Sequence, residues 1–219
     1  MKTLIFSDSH LGTKFDEEKF QALKQVIEQA DRVILNGDFW DGYLLHDFTD
    51  FIESTWKTAL FPLLKQRETI YIYGNHDKKK YSDERVNLFS TSQTKQYRFT
   101  ENGKTFIVEH GDRIAPLIDI FIPYQVSIPF TILHDWAESF IISLMGEKYY
   151  KYLHSVVNNR IKKYAKKHLK PDEILITGHT HLAELNVAQQ YANSGVNKHH
   201  LAQHLWIENG KIKLETGRY

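Results

Sequence analysis

Short hydrophobic runs, each closing in a polar loop, alternate with segments of helical spacing over the first third of the chain. Residues 2–7, 32–35 and 69–73 are the runs, and each reads as a buried strand. Between the first two, Phe20, Leu23, Val26 and Ile27 recur at the spacing of one helix face, which predicts a helix over 15–30. Residues 47–65 read as one further helix that buries Phe48, Phe51, Ile52, Trp56, Leu60 and Leu63. Strands alternating with helices predict a parallel sheet. Ligands of such sheets bind beyond the carboxyl ends of the strands.

The pattern then changes. Residues 96–99 and 105–109 flank Asn102-Gly103 and predict a hairpin. Residues 114–170 carry no strand signal and read as an inserted helical segment. Residues 173–177 form another buried run, and 183–188, 190–193, 204–207 and 211–215 read as strands. The most apolar stretch, 120–133, is broken by Pro123 and Pro129 and is too short to span a bilayer. The opening residues are too short an apolar run for an export signal and predict a cytoplasmic protein.

Composition narrows the chemistry. The chain has 219 residues, a formal charge of +1 and no cysteine. No disulfide, thiolate metal site or cysteine nucleophile is therefore available, and a metal would need His, Asp, Glu or Asn. The near-zero charge gives no field that would favour nucleic acid, so no nucleic-acid partner is expected. Histidines number 12, and several fall at strand ends. The loops there read Asp8-Ser9-His10, Gly37-Asp38, Gly74-Asn75-His76-Asp77, His110-Gly111-Asp112 and Gly178-His179-Thr180-His181. Carboxylates and imidazoles gathered in this way suit two cations about 3.5–4 Å apart.

These ordered motifs resemble the calcineurin-like metallophosphoesterase superfamily. The resemblance implies an α/β fold: a β-sandwich of mixed sheets flanked by helices, in one domain over 1–219, with 114–170 as a helical cap insertion. It implies one metal held by Asp8, His10, Asp38 and His181, and a second held by Asp38, Asn75, His110 and His179. Asp38 would bridge them. The metals would be divalent, with manganese first and iron, nickel or zinc as alternatives. Water activated between them would attack phosphorus, and His76 would protonate the leaving oxygen. Gly37-Asp38-Phe39-Trp40-Asp41 matches the family's Gly-Asp-x-x-Asp pattern, so Asp41 would orient His76, with helix capping as its alternative role. Asp77 reads as a residue that bonds its own loop.

The insertion bears on substrate. Ile118, Phe121, Ile122, Phe130, Trp136 and Phe140 would supply an apolar wall, while Lys148, Lys151, Lys162, Lys163, Lys166, Lys167 and Lys170 make a basic face. This layout resembles the UDP-2,3-diacylglucosamine hydrolases, which share an Asp-x-His-Leu start like Asp8 to Leu11 and an aromatic stretch where Phe39-Trp40 stands. The best-known branch of those hydrolases carries Arg in the loop where this chain has His76, the general phosphatase form. The expected substrate is a lipid-linked or nucleotide-diphosphate compound, with Trp40, Phe121, Phe130, Trp136 and Phe140 as candidate contacts and the insertion touching a membrane surface. The alternatives are a phosphatase or phosphodiesterase acting on small soluble phosphoesters, a purely structural lid, and a metal-binding scaffold without chemistry. His46 is a further candidate near substrate, and His199, His200 and His204 make a weaker metal cluster, set aside for want of carboxylates nearby.

Overall fold

The structure, a computed structural model, describes residues 1–45, 47–116 and 124–219, with the backbone alone over 124–130. Three of the predicted runs become β1 (Thr3–Phe6), β2 (Arg32–Asn36) and β3 (Glu68–Ile72), paired in parallel. Successive side chains on a strand point to opposite faces, so each run feeds two cores. Ile5, Ile34, Ile70 and Ile72 face inward to a second sheet. Leu4, Phe6, Val33, Leu35 and Tyr71 face outward and are covered by helices. The strand β4 (Ser92–Thr94) extends this sheet at one edge. It is short and wholly polar, and no hydrophobic run announces it.

The hairpin is β5 (Gln96–Glu101) and β6 (Lys104–Glu109). Its turn places Asn102 and Gly103 at φ 48° and 75°, a conformation those two residue types accept. Next come β7 (Glu173–Thr177), β8 (Glu184–Asn186) and β9 (Tyr191–Asn193), then β10 (Leu201–Glu208) paired with β11 (Lys211–Arg218). Among the described residues the first sheet runs β11-β10-β1-β2-β3-β4 and the second β5-β6-β7-β9-β8. Phe106, Val108, Ile174 and Ile176 of the second sheet meet the isoleucines of the first. Both sheets mix parallel and antiparallel pairs, and helices lie outside each, as the resemblance implied.

The predicted first helix is α1 (Glu17–Ile27), capped by Asp16 on the Lys19 amide, with Leu23 and Ile27 buried. The single helix expected over 47–65 is instead three pieces, α2 (Phe48–Ile52), α3 (Trp56–Ala59) and α4 (Phe61–Lys65). Two local causes break it. Ser54 and Thr58 turn their hydroxyls back onto the Phe51 and Thr55 carbonyls, and Pro62 opens a new first turn, the helical position it tolerates. Leu64 takes the fully buried place and leaves Leu63 half-buried.

Residues after the second sheet's β6 form α5 (Tyr124–Met145) and α6 (Lys148–His168). Only Gly146 and Glu147 join them, so the pair is an antiparallel hairpin. Ile161 and Ala165 of α6 pack on Ile107, Leu175 and Tyr191 of the second sheet. Ile142 of α5 packs with Tyr150, Val196 and Leu201. The opposite side of α5 leaves Ile132, Leu133, Trp136, Phe140 and Leu144 exposed. No helix among the described residues is long and apolar enough to cross a membrane.

Candidate metal centre

Chain direction alone brings the motifs together. Asp8 and His10 follow β1, Asp38 and Asp41 follow β2, and Asn75 and His76 follow β3; His110 follows β6, and His179 and His181 follow β7. Asp8, His10, Asp38, His179 and His181 all adopt left-handed backbone, with φ between 44° and 66°. Residues with a side chain rarely sit there, at a cost of order 1–3 kcal/mol each, and such strain gathers at functional sites. Two glycines make room for the convergence. A Cβ on Gly37 would lie 2.3 Å from His110 Nδ1, and one on Gly74 would lie 2.2 Å from Asp38 Oδ1.

Three groups result, each with its ligand atoms within 4.8 Å of one another: Asp8, His10 and His181; His10, Asp38 and His76; Asp8, Asp38 and His110. The Nε2 atom of His181 is 3.3 Å from Asp8 Oδ1 and 3.2 Å from His10 Nε2. His110 Nδ1 donates to the Asn36 carbonyl at 2.9 Å. Its Nε2 therefore faces Asn75 Oδ1 at 2.9 Å and Asp38 Oδ2 at 3.2 Å. The His179 ring lies 5.1 Å from that of His110. Its Nε2 donates to the Ala115 carbonyl at 3.1 Å, and its amide donates to Asp8 Oδ2 at 3.0 Å.

These donors fit cations. Asp8 Oδ1 is buried without a well-formed hydrogen bond, its imidazole neighbour being His181 Nε2, and a buried carboxylate oxygen so poorly satisfied is costly. Imidazole nitrogens and carboxylate oxygens converge, the donor set of hard-to-borderline metal sites. Burial, with His76 adding to it, pushes His10 down to about 4, so its ring is neutral and ligand-ready at pH 7. Burial alone would lower His110 too, but the Asp38 and Asp8 carboxylates overcome it and raise that ring well above its ordinary value. Burial would raise Asp38, yet His110, His76 and His10 hold it well below the usual carboxylate range.

Asp41 holds two rings rather than the one expected. Its Oδ1 is 3.0 Å from His76 Nδ1 and its Oδ2 is 3.2 Å from His10 Nδ1. Burial works against its charge, but His76 and His10 outweigh burial and keep it well below the usual range. The His76 amide donates to Asp38 Oδ1 at 2.8 Å, which ties its loop to the centre. Asp77 binds the amides of Gly74 at 2.6 Å and Phe39 at 2.7 Å. It braces its own loop and that of Asp38, with burial, then Asp38, pushing its pKa up to about 7.

The candidate substrate contacts are placed differently. Trp40 is fully buried, stacks on Phe51 and donates to Tyr71 at 3.2 Å, so it belongs to the helix-side core and not to a cleft wall. The hydrophobic neighbours Phe48 and Phe51, which the sequence shows but does not place, draw it inward. Trp136 and Phe140 stack 6.5 Å apart on the outer side of α5, 71 % and 59 % exposed. Ile118, Phe121, Ile122, Phe130 and His46 lie outside the described residues or side chains. Residues that the sequence did not single out also border the centre. The Tyr43 ring meets His76 edge-on at 4.3 Å and that of Tyr150 meets His181 at 5.1 Å. Lys19 donates to the Ser9 carbonyl at 2.7 Å from a buried position on α1. His199 does find carboxylates, 3.4 Å and 3.1 Å from Asp135 and Glu138 of α5. Lys198 already neutralises that pair.

A family model described as calcineurin-like phosphoesterase matches residues 1–183. No curated protein sequence matches the chain. Among solved structures the chain is similar to YfcE, a phosphoesterase from E. coli, at 15 % identity and a TM-score of 0.50, over 95 % of this chain and 89 % of that one. It is also similar to a dimetal phosphatase from Danio rerio, at 9 % identity and a TM-score of 0.48 over 99 % and 95 % of the two chains. A Vps29 single mutant from Entamoeba histolytica matches at 13 % identity and a TM-score of 0.46 over 100 % and 99 %.

Proposed function

Because the chain belongs to the calcineurin-like phosphoesterase family, we propose that Asp8, His10, Asp38, Asn75, His110, His179 and His181 hold two divalent cations and serve hydrolysis of a phosphoester or pyrophosphate bond. The observation that carries this reading is the convergence of Asp8, His10, Asp38, His110 and His181 into groups within 4.8 Å, from strand ends in both sheets. When bound, such a cation pair supplies an acidified water as nucleophile and offsets charge on the phosphoryl oxygens. Asp38 would help to hold both cations; like Asp8 and His10, it sits in two of the groups. His76 bonds Asp41 through Nδ1, which directs Nε2 to carry a proton towards the leaving oxygen. Asp41 then stabilises the charged ring.

Residues 114–170 act as a cap within a single domain, and the preferred substrate is lipid-linked, of the kind UDP-2,3-diacylglucosamine represents. The exposed apolar side of α5 supports this reading, together with exposed Lys148, Lys151, Lys163, Lys166 and Lys167 on α6. Lys162 is not part of that face, because it pairs with Glu184 at 2.5 Å. The test of the core reading is hydrolysis of an aryl phosphate by metal-stripped protein with manganese restored. Turnover that appears with the metal and is lost in Asp38→Asn supports it. Equal, metal-independent rates in both proteins would sink it.

A further inference from the structure

We propose that Tyr150, at the start of α6, is a catalytic residue whose phenol donates a hydrogen bond to the phosphoryl group being hydrolysed. This rests on the phosphoesterase reading above and adds a residue that no strand-end motif contains. Tyr150 is 0 % exposed, and its hydroxyl makes no hydrogen bond. Buried hydroxyls are rarely left so, because each forfeits its bonds to water and gains none. Its ring stands edge-on to His181 at 5.1 Å. The Glu138 carboxylate approaches the phenol without the geometry of a hydrogen bond. Burial first, then Glu138, with Asp8 adding, raises the phenol well above its ordinary value. An ordinary phenol is protonated near neutral pH and can donate its hydrogen to an anionic oxygen.

The hairpin that carries Tyr150 is tied to the centre. Glu138 of α5 lies 3.1 Å from His199 and 3.7 Å from Lys198, and Asp135 pairs with the same lysine. One residue earlier, the Asn197 amide donates to the Asp8 carbonyl at 3.2 Å. Ile142 and Tyr150 close over Val196 and Leu201 of this segment. The hydroxyl is thus held in fixed relation to the Asp8 loop. His181, against which the Tyr150 ring packs, and His76 keep 17 % and 15 % of their side chains exposed. A phosphoryl group entering there brings oxygens that gain charge in the transition state, where a preorganised neutral donor acts most strongly.

The experiment is Tyr150→Phe, which removes one oxygen atom and keeps the ring. Four quantities are compared with the parent protein: kcat and KM on an aryl phosphate with manganese, manganese affinity by calorimetry, inorganic phosphate affinity of the manganese-loaded protein, and the Tm of the metal-free protein. The expected result is a kcat lower by about 10²–10³-fold, with KM and manganese affinity little changed. Phosphate should bind several-fold more weakly, and the metal-free Tm should hold or rise, since an unpaired buried hydroxyl has been removed. A structural hydroxyl bonded to Glu138 would instead lower Tm, and that outcome overturns the proposal, as does unchanged kcat with unchanged phosphate affinity. If the parent protein shows no manganese-dependent turnover, the phosphoesterase reading fails by itself, and phosphate affinity still decides the role of Tyr150.

Discussion

The Nε2 atoms of His10 and His181 lie 3.2 Å apart, while the other nitrogen of His10 bonds Asp41. Nothing but a proton or a cation can sit favourably between two imidazole nitrogens at that distance, and Asp8 Oδ1, 3.3 Å from the same His181 atom, adds a negative charge. The arrangement gains most from a divalent ion, and its stability should therefore depend on metal.

Manganese at one hundred times its dissociation constant should stabilise the folded chain by about 2.7 kcal/mol per site. Differential scanning calorimetry of metal-stripped protein with and without manganese reads this as a rise in Tm. Asp38→Ala should abolish most of the rise, since Asp38 enters two of the ligand groups. An undiminished rise in that variant would place the metal elsewhere.

His76→Ala should behave differently. The ring is held by Asp41 and stands beside the ligand candidates, so calorimetry should find manganese affinity retained. The loss should fall on kcat, by roughly 10²–10⁴-fold if His76 is a general acid. Aryl phosphates with good leaving groups need little protonation and should lose less than alkyl esters. Equal losses on both would leave His76 an electrostatic role only.

Asp41→Asn should combine both defects, because one carboxylate orients His10 and His76 together. Loss of such a supporting partner lowers metal affinity by roughly 10–100-fold. Calorimetry should show that loss, and saturating manganese should fail to restore kcat. Full rescue by metal would confine Asp41 to the His10 side.

Most of the centre was legible in the sequence because each ligand candidate directly follows a strand that its own hydrophobic run announces. Asp8 after 2–7 and Asp38 after 32–35 are placed by chain direction alone. What could not be read depends on pairings distant in sequence. His199 meets Asp135 and Glu138 only because the α5–α6 hairpin folds back over the segment before β10. Tyr150 belongs to no motif, and only its place beside His181 and its unbonded hydroxyl single it out. Trp40 misled for the opposite reason. An aromatic beside a ligand motif suggests a cleft, but Phe48 and Phe51 bury it in the core.

Lys19 gives a pH dependence. Burial, with Lys198 adding to it, pushes its pKa down to about 7, against about 10.4 in an unfolded chain. Between these values the unfolded state binds the extra proton, so stability rises with pH through that window, by at most about 1.4 kcal/mol per pH unit. Below about pH 7 both states carry the charge and the folded state bears the cost of burying it. Lys19→Met should flatten this component of the profile between pH 7.5 and 9.5, read from urea unfolding midpoints. A variant whose profile runs parallel to the parent's would show that the lysine is solvated.

The outer face of α5 provides the last prediction. Trp136, Phe140 and Leu144 stand at helical spacing and are 71 %, 59 % and 72 % exposed, an apolar stripe that a chain with no apolar partner would have little reason to display. Exposed lysines and Arg160 on α6 add positive charge to the same hairpin. If the substrate is lipid-linked, this stripe takes up acyl chain or bilayer surface. Each methylene it shields should add up to about 0.8 kcal/mol of binding. Values of kcat/KM should then climb with acyl length before levelling off. The protein should also co-sediment with anionic vesicles at low salt and release at 1 M salt, where the screening length is about 3 Å. Replacing Trp136 and Phe140 by serine should weaken vesicle binding and flatten the chain-length dependence, while manganese-dependent hydrolysis of a short aryl phosphate persists. If parent and variant show the same flat dependence and neither binds vesicles, the hairpin is a lid alone and the substrate is a small soluble phosphoester.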